Sequence, residues 1–233
     1  MRIWDINPGY LNRQSLLGEH RELHGIVSIF ENNKKGYSKH PETLRWVGYQ
    51  WALRQRHLLL SSEMKLRGFT DNTPVEIDGN SGEWPTVYID EPFNQFCLLE
   101  KKYVDKEQGR IPLPKSAQQL WSQHKYSIMA RNVTLYKQIG RDVSRIKTVQ
   151  EFSQLAKLLT EQLRIQPPAG CLINALHHMW GHVSELTSET KLDISSWPTI
   201  RLIGEIQKLT LSSDEPYLSK STALNDLEVW SKA

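Results

Sequence analysis

The sequence predicts a mainly α-helical protein of two small domains, and three observations carry that prediction. Apolar residues recur at helical spacing through the first seventy residues and again from Ala117 onward. Between them, residues 70–115 hold five of the eleven prolines, with several glycines, asparagines and aspartates, a composition that favours irregular chain. No strand-like alternation runs through the second half, so its helices have no sheet to cover and imply all-α packing.

Taken in order, the elements begin at once. Ile3, Trp4 and Ile6 alternate where most chains fray, so the Met1 amino group is expected to be held in place. Asn12 or Ser15 is the expected cap of a first helix, whose apolar positions are Leu16, Leu23, Ile26, Val27 and Phe30. It should end near "NNKKGY", where asparagine and glycine break the pattern. A second helix is predicted from Pro41, near its start, to Gly68, which stops it. A short helix is expected from Phe96 to Val104, and "GRIPLPKS" is the expected boundary between domains at 1–112 and 116–233. Three or four helices follow in "AQQLWSQHKYSIMARNVTLYKQIGRDVSRI", "VQEFSQLAKLLTEQLRI" and "CLINALHHMWGHVSEL".

Composition bounds the function. With 233 residues, 39% hydrophobic and 24% charged, the chain has the make-up of an ordinary globular protein and not of a disordered or fibrous one. No apolar run approaches the ~20 residues that span a bilayer, and the N-terminus lacks the apolar core of a signal peptide. The expectation is a cytoplasmic, nucleoid-associated protein without a membrane partner. Cys97 and Cys171 match no metal or redox spacing and read as reduced thiols. The net charge of +3 is small, but residues 1–70 carry eleven Lys/Arg against six Asp/Glu, while residues 71–100 carry seven acids and no base. That asymmetry fits a phosphate-facing surface, and it also fits charge scattered over solvated helices.

The chemistry-bearing residues cluster at the start. An α-amine titrates near ~7.7–8.0, well below lysine, so part of it is neutral and nucleophilic at physiological pH. Arg2 and Arg21 nearby are expected to lower it further, and the bulk of Arg2 is expected to keep Met1 on the mature chain. Glu19 and Glu22 stand three apart on one helical face, and a carboxylate beside an amine can shuttle protons and stabilise a developing cation. The same "GEHREL" also reads as a solvated face with an ordinary ion pair.

"MRI…EHREL" followed by "ALRQRHLLLSSEMKLRGF" resembles the pyrimidine-dimer DNA glycosylases of the endonuclease V type, phage and bacterial, over roughly residues 1–112. The resemblance implies a DNA repair enzyme whose N-terminal α-amine attacks the sugar of the damaged nucleotide, forms an imine (a Schiff base) and breaks the strand by β-elimination, as an AP lyase does. It places the amine on Met1, the catalytic glutamate on Glu22 and phosphate contacts on Arg2 and Arg21. The "LRxR…RGF" block adds Arg54 and Arg56 as DNA contacts. It implies double-stranded DNA with damaged bases as partner and no metal or cofactor. The phage enzyme has threonine where this chain has Met1, a change the amine chemistry tolerates because only the backbone nitrogen reacts.

The second half resembles the YbgA-like domain of unknown function in "HKYSIMARN…YKQIGRDVS", "INALHHMWGH" and "EPYLSKSTAL". His178 and His182 stand four apart and offer a metal pair without an evident third ligand, so His177, His178 and His182 are expected to be packed or solvated. Bases and aromatics interleave in His124, Lys125, Tyr126, Arg131, Tyr136 and Lys137, as on a nucleic-acid platform or as in a helical core. Lys125 and Arg131 are the expected DNA contacts there, and a repair protein or RNA is the other partner considered for this half. The sequence thus points to a base-excision-repair glycosylase acting on cyclobutane pyrimidine dimers or a related lesion. Its alternatives are a non-catalytic nucleic-acid-binding protein and an enzyme acting on another modified base in DNA or RNA.

Overall fold

The computed structural model describes residues 1–79, 82–186, 194–213 and 215–231, and these form helices and connecting chain with no strand among them. The chain is mainly α. It divides into two compact units, Met1–Gly109 and Arg110–Ala233. No described helix is long and apolar enough to cross a membrane.

In the first unit an extended N-terminal segment leads through a 3₁₀ turn at Pro8–Tyr10 into α1, Arg13–Asn32. Asn12 is the cap: its side-chain oxygen accepts the Ser15 N–H at 2.9 Å, which leaves Ser15 inside the first turn. Asn33 closes the helix in the left-handed region, at φ 48°.

The long second helix expected from Pro41 to Gly68 is two helices instead, α2 (Pro41–Arg45) and α3 (Gln50–Leu66). The break has a local cause in Gly48, which takes φ +86° and turns the chain where a helical φ is required. Gly68 does stop α3, with φ +77°. Its N–H bonds to the Lys65 carbonyl at 3.0 Å and the Phe69 N–H to that of Met64 at 2.9 Å, the paired bonds of a Schellman cap. The short helix expected from Phe96 to Val104 is α4, which spans Pro92–Lys102 and so begins earlier than the sequence suggests, because proline is well suited to a first helical turn.

Ile3, Ile6, Leu16, Leu23, Leu53, Leu60 and Leu99 are each at most 2% exposed, so the N-terminal segment, α1, α3 and α4 all contribute to the core of the first unit. Burial of each such side chain contributes about 1.5–3 kcal/mol.

The second unit is built around α5 (Ala117–Met129), which packs against α6 (Val133–Asp142), α7 (Val149–Leu163), α8 (Ala169–Val183) and α10 (Ala223–Ser231). Helix α9 (Thr199–Ser212) packs on α8 and α10. The unit therefore has more helices than the three or four the sequence suggests. The run from Ala117 breaks at Asn132, whose side chain accepts the Leu135 N–H at 2.9 Å and starts α6 afresh.

His124 is buried in α5 and its Nδ1–H donates to the Leu120 carbonyl at 2.9 Å. Burial pushes this imidazole down to about 4, outweighing the opposing pull of that carbonyl and of Asp226. The folded state then holds the proton less readily than the unfolded chain, so stability is full above about pH 6.5 and is lost as the pH falls toward 4, by about 3 kcal/mol at most. The thermal midpoint of the protein should drop across that window more steeply than that of His124→Gln. Superimposable midpoint-against-pH curves for the two proteins would remove His124 as the cause.

Candidate active site

The site begins with the question of what holds an extended N-terminus. Its backbone has no strand partner, yet buried polar groups need hydrogen bonds. Side chains from four helices supply them. The Trp4 N–H donates to Glu19 of α1 at 3.1 Å, the Asp5 N–H to Gln95 of α4 at 2.8 Å, and the Arg2 N–H to Glu22 of α1. On the carbonyl side, Arg45 of α2 donates to Ile3 at 2.9 Å and Arg56 of α3 to Ile6 at 2.8 Å.

The charges that make these bonds are themselves paired. Arg56 makes a bidentate contact to Glu19 at 2.7 and 2.8 Å, and Arg45 bridges Asp5 at 2.8 Å and Glu42 at 2.6 Å. Burial raises the Glu19 carboxyl above the usual range, and Arg56 offsets only part of that. At Arg45, burial opposes the charge but Asp5 and Glu42 outweigh it and hold the guanidinium above its ordinary value. The result is a clamp of ionic side chains around residues 2–6.

The clamp sets the position of the first amine. The Met1 nitrogen lies 3.9 Å from Glu22 Oε1, while the other oxygen of Glu22 accepts the Arg2 N–H. The Met1 sulfur sits 3.5 Å from Thr43 Oγ1 of α2, and the Arg2 guanidinium pairs with Asp90 and lies 4.4 Å from the Trp4 ring centroid. Glu22 is 41% exposed at its side chain, so the carboxylate faces a surface that a large substrate can reach, while the Met1 side chain is 12% exposed. An open groove of about 340 Å³ lies between α2 and residues 85–89, lined by Leu44, Arg45, Tyr49, Pro85 and Val87 among others. Its two walls belong to the segments that touch Met1 and Arg2.

The arginines separate into two groups. Arg21 is exposed and carries no ion pair among the described residues, and Arg54 is partly exposed, 3.5 Å from the exposed Asp78. Arg56 corrects the sequence expectation: at 2% exposure, with its donors committed to Glu19 and Ile6, it is a core residue that no phosphate reaches. Arg131 of the second unit is corrected for the same reason. It is 6% exposed and pairs with Asp226 at 2.8 and 2.9 Å, with further bonds to the carbonyls of Ser127, Leu163 and Ile165. Lys125 is also engaged internally, its Nζ 4.6 Å from the Tyr126 ring centroid and 4.1 Å from that of Tyr217. Of the interleaved residues, Tyr136 and Lys137 do reach an open surface cavity of about 420 Å³, beside Trp121 and Arg141.

Met1 and Arg2 thus stand in the N-terminal segment, Arg21 and Glu22 on α1, and Arg54 and Arg56 on α3. Residues 1–77 match the family of pyrimidine dimer DNA glycosylases. The matched segment contains Met1, Arg2, Arg21, Glu22, Arg54 and Arg56, and it ends before Asp90 and α4. Residues 125–226 match a family described as a protein of unknown function. No curated protein and no solved structure matches the chain.

The glycosylase-family segment also holds a cluster that sequence reasoning missed. His20, His24 and His57 stand with ring centroids 4.6–5.1 Å apart, and Asp71 lies against them. His20 Nε2 is 3.3 Å from Asp71 Oδ1, and His57 Nε2 is 3.2 Å from Oδ2. The legible signal was the pair four apart in "HRELH", the same spacing that draws attention to His178 and His182. In the structure the latter do not form a site: His177 and His178 are exposed, and His182 bonds to the Tyr126 hydroxyl at 2.5 Å and stacks on Tyr217.

Proposed function

We propose that the first unit excises pyrimidine dimers from duplex DNA with the Met1 α-amine as nucleophile and Glu22 as its proton-handling partner, and then cleaves the strand as an AP lyase. The single observation that carries this reading is the 3.9 Å separation of the Met1 nitrogen and Glu22, at the end of a segment held by buried ionic groups. Glycosylase-family membership of residues 1–77 supports the substrate class.

The steps follow from those two groups. The neutral amine attacks the sugar C1′, a carbon–nitrogen bond forms, and the glycosidic bond breaks with its electron pair leaving on the base. The nitrogen's proton passes to the ring oxygen as the ring opens, which leaves a protonated imine. Glu22 stabilises that cation and takes the acidified C2′ proton, and the C3′–O bond breaks with the phosphate as leaving group. Reaching C1′ requires the duplex to be kinked and a base displaced, which a lesion with weakened stacking makes easier. The groove beside α2 offers an apolar surface for a displaced base.

The test is borohydride trapping of protein with a free Met1 amine on an abasic-site duplex and on a thymine-dimer duplex, with mass spectrometry of the adduct. A covalent adduct at Met1 on both is the expected result. No adduct from folded protein with an unblocked amine would overturn the mechanism and favour a nucleic-acid-binding role.

A further inference from the structure

We propose that His20, His24, His57 and Asp71 form a closed binding site for one Zn²⁺ ion that pins α1 to α3 and to the chain after α3. Four side chains from three segments converge here, and one ligand atom from each lies within 4.8 Å of all the others. Three imidazole nitrogens and one carboxylate oxygen are a donor set suited to zinc. A tetrahedral site with bonds of about 2.0–2.1 Å needs ligand atoms roughly 3.3 Å apart. His20 Nε2 stands 3.3 Å from Asp71 Oδ1 and His57 Nε2 3.2 Å from Asp71 Oδ2, so each ring is already at that spacing from one carboxylate oxygen, and the set of four ligand atoms lies within 4.8 Å.

His24 Nε2 lies 3.1 Å from Thr73 Oγ1, but two features of the other groups point to an ion. First, the Nε2 atoms of His20 and His57 are buried and make no hydrogen bond among the described residues, although each faces an Asp71 oxygen. His57 is only 2% exposed, and an orphaned ring nitrogen at such a position is costly unless something binds it. Second, the carboxylate is oriented from behind, as metal-bound carboxylates are. Asp71 Oδ2 accepts from Ser61 Oγ at 2.5 Å, and Oδ1 accepts from the Thr73 N–H at 2.9 Å and Thr73 Oγ1 at 2.8 Å.

Electrostatics agree with that geometry. Burial, reinforced by the neighbouring rings, pushes His57 down to about 4 in spite of Asp71, and burial and His20 lower His24 as well. Both shifts favour the neutral imidazole, the form that offers a lone pair to a metal. The Asp71 carboxyl is raised by burial but lowered more by Ser61, Thr73 and His57, so it stays ionised. With four protein ligands the site has no open position and is structural. It lies on α1 and holds the helix that carries Glu22, but it takes no part in the proposed reaction.

The experiment is zinc content of the full chain after exposure to zinc and gel filtration, read together with the thermal midpoint with and without a chelator. One retained zinc per chain and a midpoint raised by about 5–10 °C are expected for saturation near a hundred times Kd. Replacing zinc by Co²⁺ should give the visible absorption of a four-coordinate ion. Asp71→Asn and His57→Ala should lose the metal, and His178→Ala, exposed in the other unit, should keep it. If His57→Ala fails to fold, Asp71→Asn and the wild-type zinc content and midpoint decide. Wild type that retains no zinc and shows no midpoint shift overturns the proposal, and so does zinc retained equally by Asp71→Asn.

Discussion

Glu22→Gln is expected to lower the rate of lesion excision by about 10²- to 10⁴-fold, the range that a positioned proton-transfer group contributes. The substitution keeps the size of the side chain and its acceptor for the Arg2 N–H, so the N-terminal segment stays in place. It removes the charge 3.9 Å from the Met1 nitrogen and, in the proposed mechanism, the base for the C2′ proton. Affinity for a dimer-containing duplex and the thermal midpoint should therefore change little. Single-turnover cleavage and a gel-shift titration on one substrate separate the two quantities. Loss of binding in proportion to rate would make Glu22 a positioning residue, and an unchanged rate would remove it from the chemistry.

The second large effect is on folding. Arg56→Met leaves the Glu19 carboxylate buried without its cation and the Ile6 carbonyl without its donor, and breaking a buried pair in this way costs about 3–5 kcal/mol. For a chain of this size the thermal midpoint should fall by about 6–20 °C. The double change Glu19→Leu with Arg56→Met should recover part of the loss and not all of it, because the Trp4 N–H then has no acceptor. The salt dependence of DNA binding by folded Arg56→Met should match that of wild type. A slope shallower by about one, with stability intact, is what a phosphate-contacting arginine would give, and it would return Arg56 to the DNA surface.

Much of the fold was legible locally. Asn12, Gly68 and the proline-rich stretch act through their own backbone geometry, so caps, stops and the mainly α class could be read from residues next to one another. Gly48 was equally local, but one glycine in a long apolar pattern does not declare whether it will bend the chain or sit within a helix. The residue types of the proposed chemistry were also visible, since an N-terminal amine and a glutamate within the first helix are short-range features of the first twenty-two residues.

By itself, then, the sequence determined the mainly α class, the candidate amine and carboxylate, and the family resemblance of its first part. Only the tertiary structure decided which charges face solvent. Arg54 and Arg56 are two apart in one motif, yet one reaches the surface and the other is fixed by Glu19 in the core. The two histidine pairs at the same helical spacing were likewise indistinguishable, until folding brought His57 and Asp71 to His20 and His24 and brought Tyr126 and Tyr217 to His182. The physical reason is common to both cases. Burial, pairing and metal-ligand geometry depend on groups far apart in the chain meeting within a few ångströms, and spacing along one helix carries no record of what will stand opposite it.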